Sequence, residues 1–140
     1  MTKKRILIVD DEPSITQLLR LNLEKSGHYT VRTENDAELV LGALQEFKPD
    51  VILLDVMMPG MDGGTLAEKI RALRAFKTTP IVFLTAAVKQ EELDARNGVI
   101  GGFPYIAKPL NIRGVISIIE KLRRMSLFLR AIEQAGFVSN

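Results

Sequence analysis

Five short apolar runs recur along the chain, and longer segments with the spacing of amphipathic helices separate them. The runs span residues 6–9, 29–32, 51–54, 81–84 and 103–106. Three of the five contain no polar residue, which is typical of central strands in a parallel sheet that is covered on both faces. The alternation therefore predicts an α/β fold, with helices packed on a sheet, rather than a fold of helices alone or of strands alone.

Apolar residues at helical spacing predict one helix after each strand. Gly27 is expected to close the first helix, and Pro49 to prevent the second from continuing. The predicted helical residues are Ile15, Leu18, Leu19, Leu21 and Leu23; Leu39, Val40, Ala43, Leu44 and Phe47; Leu66, Ile70 and Leu73; Val88 and Leu93 in a weak fourth helix; and Ile112, Ile116, Ile119 and Leu122. We predict a single (βα)₅ domain with a doubly wound five-stranded parallel sheet.

Composition narrows the classes of partner and site. The net charge of +2 across 140 residues gives no sign of a nucleic-acid surface, and the absence of cysteine excludes thiolate metal sites. The apolar run after the basic N-terminal residues 1–5 stops at Val9, where Asp10 follows, so it is too short for a signal peptide or a membrane span. We expect a cytoplasmic protein without membrane contact.

Polar residues that could react or bind ligands lie where the predicted strands end. Asp10 and Asp11 follow the first strand, Asp55 the third and Thr85 the fourth, and Lys108 comes shortly after the fifth. In an open α/β sheet the ligand site lies outside the carboxyl ends of the strands, so these residues are expected to converge. Gathered carboxylates repel one another unless a cation neutralises them, and oxygen ligands favour Mg²⁺ over zinc.

The same residues resemble a known family. The matching segments are Asp10-Asp11, Asp55-Val56-Met57-Met58-Pro59-Gly60-Met61-Asp62-Gly63, Thr85-Ala86, Gly101-Gly102, Tyr105 and Lys108-Pro109. In identity, order and spacing they are similar to the receiver domains of two-component response regulators, over about residues 4–125. The resemblance implies the strand order 2-1-3-4-5.

The resemblance also implies a role for each site residue. Asp55 would be the phosphoacceptor, with Mg²⁺ held by the carboxylates of Asp10, Asp11 and Asp55 and by the main-chain carbonyl of Met57. The partner would be a sensor histidine kinase or a histidine phosphotransfer domain. Such a domain is a switch rather than an enzyme, because it catalyses only its own phosphorylation and dephosphorylation.

Three further roles follow from the resemblance. The Lys108 ammonium and the Thr85 hydroxyl would stabilise the phosphoryl oxygens. Thr85 and Tyr105 would form the switch that changes the face of helix four, strand five and helix five, for partner binding or for a homodimer. The peptide bond between Lys108 and Pro109 would be cis.

Two features near the site depart from the usual pattern. Pro104 cannot donate a ladder hydrogen bond, so strand five is predicted to lie at the sheet edge. Met57 and Ala87 offer no polar side chain to position an attacking water, which predicts slow autodephosphorylation.

The C-terminal residues exceed a minimal receiver, so we divide the chain into a receiver domain, residues 1–125, and an extension of the last helix, residues 126–140. Apolar residues continue at helix-compatible spacing to Gly136: Met125, Leu127, Phe128, Leu129, Ile132 and Ala135. Two interpretations remain open: a longer helix that frays at its end, or a patch of residues 127–129 that meets a second subunit or another domain.

Other functional classes fit less well. A phosphatase similar to the haloacid dehalogenases requires a second acid two positions after the nucleophile, where this chain has Met57. A flavin-phosphate module requires a glycine- or hydroxyl-rich loop after strand one, where acids stand. Taken alone, residues 10–13 could be only a helix start, with Asp11 as the cap and Pro13 in the first turn. A pseudo-receiver would keep the fold but lack the switch chemistry, although all four site residue types are present.

Overall fold

The computed structural model describes residues 3–136, without the side chains of Ser126, Leu129, Arg130 and Glu133. The first two residues of the basic N-terminus and the last four of the predicted extension lie outside this part. Five strands and five helices alternate: β1 Lys4–Val9, α1 Pro13–Lys25, β2 Tyr29–Glu34, α2 Val40–Phe47, β3 Val51–Asp55, α3 Gly63–Ala72, β4 Ile81–Thr85, α4 Gln90–Ala95, β5 Phe103–Ala107 and α5 Ile112–Gln134. Short 3₁₀ turns at Ala37–Leu39 and Arg74–Phe76 precede α2 and follow α3.

The five strands are parallel in the order β2-β1-β3-β4-β5, which confirms the predicted α/β architecture. Nearly every residue of β1, β3 and β4 is buried, as their apolar sequences require. One hydrophobic layer packs α1 and α5 on one face of the sheet. A second layer packs α2 and α3 on the other face.

The prediction that β5 forms the edge of the sheet is wrong. A two-residue strand, Val99–Ile100, pairs antiparallel with Phe103 and Pro104. Pro104 has no N–H to donate, but the N–H of Tyr105 donates to the carbonyl oxygen of Gly98 at 2.8 Å. The chain can double back between these two short segments because Gly101 and Gly102 have φ angles of 59° and 84°.

Two helix boundaries differ from expectation. Glu12, not Asp11, is the N-cap of α1, and its side chain makes no capping hydrogen bond, although Pro13 does occupy the first turn. The fourth helix covers only Gln90–Ala95, so Val88 precedes it. The last helix passes residue 125 without a break, as the predicted extension requires, and ends at Gln134. Within the described residues, no helix is long and apolar enough to cross a membrane.

Candidate functional site

Three carboxylates meet at the carboxyl ends of β1 and β3. Asp10 and Asp11 follow β1 directly, Asp55 is the last residue of β3, and one oxygen from each lies within 4.8 Å of the others. Asp10 is fully buried and Asp55 is 5% exposed. Because β1 and β3 are parallel neighbours in the sheet, their ends bring these sequence-distant acids together.

Lys108 supplies the positive charge among these acids. Its Nζ lies 2.7 Å from Asp10 Oδ2, 3.5 Å from Asp55 Oδ2 and 3.6 Å from Glu12 Oε1. Its main-chain N–H donates to the carbonyl oxygen of Thr85 at 2.8 Å, which fixes the loop after β5 to the end of β4. The peptide bond from Lys108 to Pro109 is cis.

The environment changes the proton affinity of both central groups. Burial raises the pKa of the Asp55 carboxyl to about 6 and the charge of Asp10 adds to this, while the N–H of Met57 and the ammonium of Lys108 oppose it. Burial alone would lower the pKa of Lys108, but the carboxylates of Asp10, Asp55 and Glu12 outweigh it and raise that pKa. The ammonium therefore stays charged at neutral pH.

A family model for the response regulator receiver domain matches residues 6–120. The chain belongs to this family. It is 42% identical to the alkaline phosphatase synthesis transcriptional regulatory protein PhoP of Bacillus subtilis over 124 residues, which are 88% of this chain and 50% of that protein. It is 41% identical to the Bacillus subtilis transcriptional regulatory protein ResD over 137 residues, 97% of this chain and 52% of that protein.

Solved structures agree with the family assignment. Chemotaxis protein CheY4 of Vibrio cholerae superimposes with a TM-score of 0.74 at 30% identity, covering 86% of this receiver and 99% of that chain. A putative response regulator from Chloroflexus aurantiacus superimposes with a TM-score of 0.75 at 31% identity, covering 88% of this receiver and 99% of that chain. The receiver spans about half the length of the curated relatives it matches.

The acidic cluster of the receiver is suited to a divalent cation. Asp10 Oδ2 is buried and accepts no well-aligned hydrogen bond, although Lys108 Nζ lies 2.7 Å away. Three carboxylates face a single ammonium, which leaves an excess of negative charge in a partly buried site. Oxygen donors with this charge match the preference of Mg²⁺.

The loop after β3 is built tightly around Asp55. Met57 donates its N–H to Asp55 Oδ1 at 3.2 Å and exposes 70% of its side chain. The segment Met57–Met58 pairs with Met61–Asp62 across a turn in which Gly60 has a φ of 81°. A Cβ atom on Gly63 would lie 2.7 Å from the carbonyl oxygen of Asp55, so only glycine fits there.

The two predicted switch residues lie in different surroundings. Thr85 is 2% exposed, and its Oγ1 accepts the N–H of Ala87 at 3.0 Å. Tyr105 is half-buried in the hydrophobic layer of α2 and α3, with its ring centroid 5.0 Å from that of Phe83. The ring of Phe83 also meets Phe103 edge-on at 5.1 Å.

Sequence reasoning missed two supports of the site. Asn35 Nδ2 donates to the carbonyl oxygen of Asp10 at 2.7 Å and to Thr16 Oγ1 at 3.1 Å. Asn35 directly follows β2, so the rule that drew attention to polar residues at strand ends also applied to it. The close approach of Gly63 to Asp55 carried no signal beyond its place in a turn.

Proposed function

We propose that Asp55 accepts a phosphoryl group from a phosphohistidine on a sensor histidine kinase or a histidine phosphotransfer domain. A carboxylate oxygen of Asp55 forms the new P–O bond, the P–N bond breaks, and the imidazole leaves. The observation that supports this most is the position of Asp55 at the end of a central strand, 3.5 Å from Lys108 Nζ and surrounded by two further acids. Family membership adds independent support.

Each neighbour has a role in this proposal. Lys108 binds one phosphoryl oxygen with its ammonium, and Thr85 donates its hydroxyl to another. Asp10, Asp11, Asp55 and the main-chain carbonyl of Met57 would hold Mg²⁺, which supplies positive charge against the negative charge that spreads over the equatorial oxygens.

The output would be a change of surface rather than a reaction on another substrate. Bonding of Thr85 to the phosphoryl group draws its side chain toward Asp55, and Tyr105 then turns inward and changes the face formed by α4, β5 and α5. That face would bind a partner or form a homodimer. A cytoplasmic location and the absence of direct nucleic-acid binding remain predictions from the sequence.

The proposal is tested with acetyl phosphate and, separately, beryllofluoride, each with and without Mg²⁺. With acetyl phosphate, intact mass should show the gain of one phosphoryl group only when Mg²⁺ is present. With either reagent and Mg²⁺, the NMR signals of the Tyr105 ring should shift. Asp55→Asn should abolish both changes. Asp62→Asn is the matched control, because Asp62 is an exposed acid on the same loop and asparagine can still cap α3. No mass gain in the wild-type chain, or an equal gain in Asp55→Asn, would contradict the proposal.

A further inference from the structure

The side-chain amide of Asn35 holds the main chain of Asp10 in place. β1 and β2 pair in parallel as far as Val9 and Glu34. The N–H of Asp10 then donates to the carbonyl oxygen of Glu34 at 3.1 Å, and the carbonyl oxygen of Asp10 accepts from Asn35 Nδ2 at 2.7 Å. A side chain thus completes the contact between the two strands at the point where their main-chain pairing ends.

The same amide also reaches the first turn of α1. Asn35 Nδ2 donates to Thr16 Oγ1 at 3.1 Å, and that hydroxyl donates to the carbonyl oxygen of Pro13 at 3.1 Å. An amide nitrogen of this kind carries two hydrogens, so the contacts with Asp10 and Thr16 use both. Thr16 is only 3% exposed, and its buried hydroxyl is satisfied by these contacts. One side chain therefore spans the segment from Asp10 to Pro13 and joins its two ends.

The spanned segment contains Asp11, one of the three clustered acids. The carbonyl that Asn35 holds belongs to the peptide bond between Asp10 and Asp11, and because this bond is planar, fixing its oxygen also fixes the direction in which Asp11 leaves. Asp10 is fully buried, whereas Asp11 is only half-buried. The next residue, Glu12, makes no capping hydrogen bond with its side chain. The position of Asp11 therefore depends on the ends of the segment, which Asn35 holds.

We propose that Asn35 is a positioning residue for the divalent-cation site and acts on the cation only through Asp10 and Asp11. The inference rests on the proposed Mg²⁺ site and adds to it a residue that is not a ligand. Removing a group that orients metal ligands typically weakens metal binding by about 10- to 100-fold. Because Asn35 bonds to a main-chain oxygen and a hydroxyl rather than to a carboxylate, we expect the lower end of that range.

The test measures the Mg²⁺ affinity of the unphosphorylated chain by NMR titration without a phosphodonor. Asn35→Ala should bind Mg²⁺ about tenfold more weakly than the wild type. Asn35 is exposed, so this substitution removes the amide without opening a cavity in the hydrophobic core. Thr16→Val removes the other end of the span and should weaken Mg²⁺ binding by a smaller factor.

Asn22→Ala is the matched control. Asn22 Nδ2 also donates to a main-chain carbonyl oxygen, that of Leu18 at 2.8 Å, but in the second half of α1. This variant should bind Mg²⁺ like the wild type. Urea denaturation in EDTA measures the metal-free stability of each variant. If Asn35→Ala loses stability but keeps the Mg²⁺ affinity of the wild type, Asn35 only supports the fold and the proposal is wrong.

The titration also separates this proposal from phosphoryl transfer. If the wild type binds Mg²⁺ about tenfold more tightly than Asn35→Ala but gains no phosphoryl group, the role of Asn35 is confirmed and that of Asp55 is contradicted. A wild-type chain that binds no Mg²⁺ would overturn the proposal for Asn35 together with the metal site.

Discussion

Lys108 Nζ lies closer to Asp10 Oδ2, at 2.7 Å, than to Asp55 Oδ2, at 3.5 Å. Its nearest charge is thus a fully buried carboxylate rather than the carboxylate proposed to react. Lys108 therefore serves two purposes in our account: it neutralises Asp10 in the resting protein and is available to a phosphoryl oxygen on Asp55.

Replacing Lys108 with methionine should lower both stability and phosphorylation. Removing one partner of a buried ion pair leaves the other charge uncompensated, which we expect to cost about 3 kcal/mol of unfolding free energy. Urea denaturation at pH 7.5 in EDTA measures this loss. Lys69→Met, at an exposed position of α3, should change stability by less than about 0.5 kcal/mol. Equal effects of the two substitutions would mean that the Lys108–Asp10 pair contributes little.

Replacing Asp55 with asparagine should stabilise the metal-free protein above pH 6. The folded-state pKa of Asp55 is about 6 against an ordinary value of 3.8, so between these pH values the folded protein keeps a proton that the unfolded chain has lost. Stability from this group therefore falls as pH rises through that range. The unfolding free energy of the variant should exceed that of the wild type by on the order of 2 kcal/mol at pH 8 and by far less at pH 4.5.

Asp62 provides a control of opposite sign for the same denaturation series. Hydrogen bonds from the N–H and hydroxyl of Thr65 lower the pKa of Asp62, so its stabilisation is present at neutral pH and disappears as pH falls. Asp62→Asn should be less stable than the wild type at pH 8 and similar to it in acid. If Asp55→Asn behaves in the same way, burial does not dominate the Asp55 environment.

Replacing Gly63 with alanine should disturb the support of Asp55. The new Cβ would lie 2.7 Å from the Asp55 carbonyl oxygen and 2.8 Å from Val56 Cα, so the backbone must move. We expect the unfolding free energy to fall by about 2 kcal/mol and phosphorylation by acetyl phosphate to be slower. Gly42→Ala in α2 is the control. The new Cβ meets nothing within 4 Å, so the unfolding free energy should rise by up to about 1 kcal/mol. Gains at both positions would show that the loop tolerates the extra atom.

Local sequence patterns were sufficient to predict the five long strands, the five helices and their alternation along the chain. Buried strands such as Val51–Asp55 are apolar throughout, and the breaks fall at Gly27 and next to Pro49, where the backbone requires them. The convergence of Asp10 and Asp55 followed from one topological rule, since parallel neighbours end at the same side of a sheet.

Non-local contacts explain what the sequence did not indicate. The edge strand Val99–Ile100 depends on a turn that brings Gly98 back to Tyr105, and no periodicity announces a two-residue strand. The requirement for glycine at position 63 comes from the path of the Asp55 backbone, which is visible only in three dimensions.

Replacing Met57 with asparagine should shorten the lifetime of phosphorylated Asp55. Met57 exposes 70% of its side chain and donates its N–H to Asp55 Oδ1, so a polar side chain there can hold a water near the phosphoryl group. Positioned polar groups accelerate such steps by factors of about 100 or more, and at this exposed position we expect about tenfold. Intact mass followed over time after removal of acetyl phosphate gives the decay rate. Met57→Leu should decay like the wild type, because it also lacks a polar group. If the wild-type phosphoryl group is lost as fast as in Met57→Asn, water is positioned by another residue and the prediction of slow dephosphorylation is wrong.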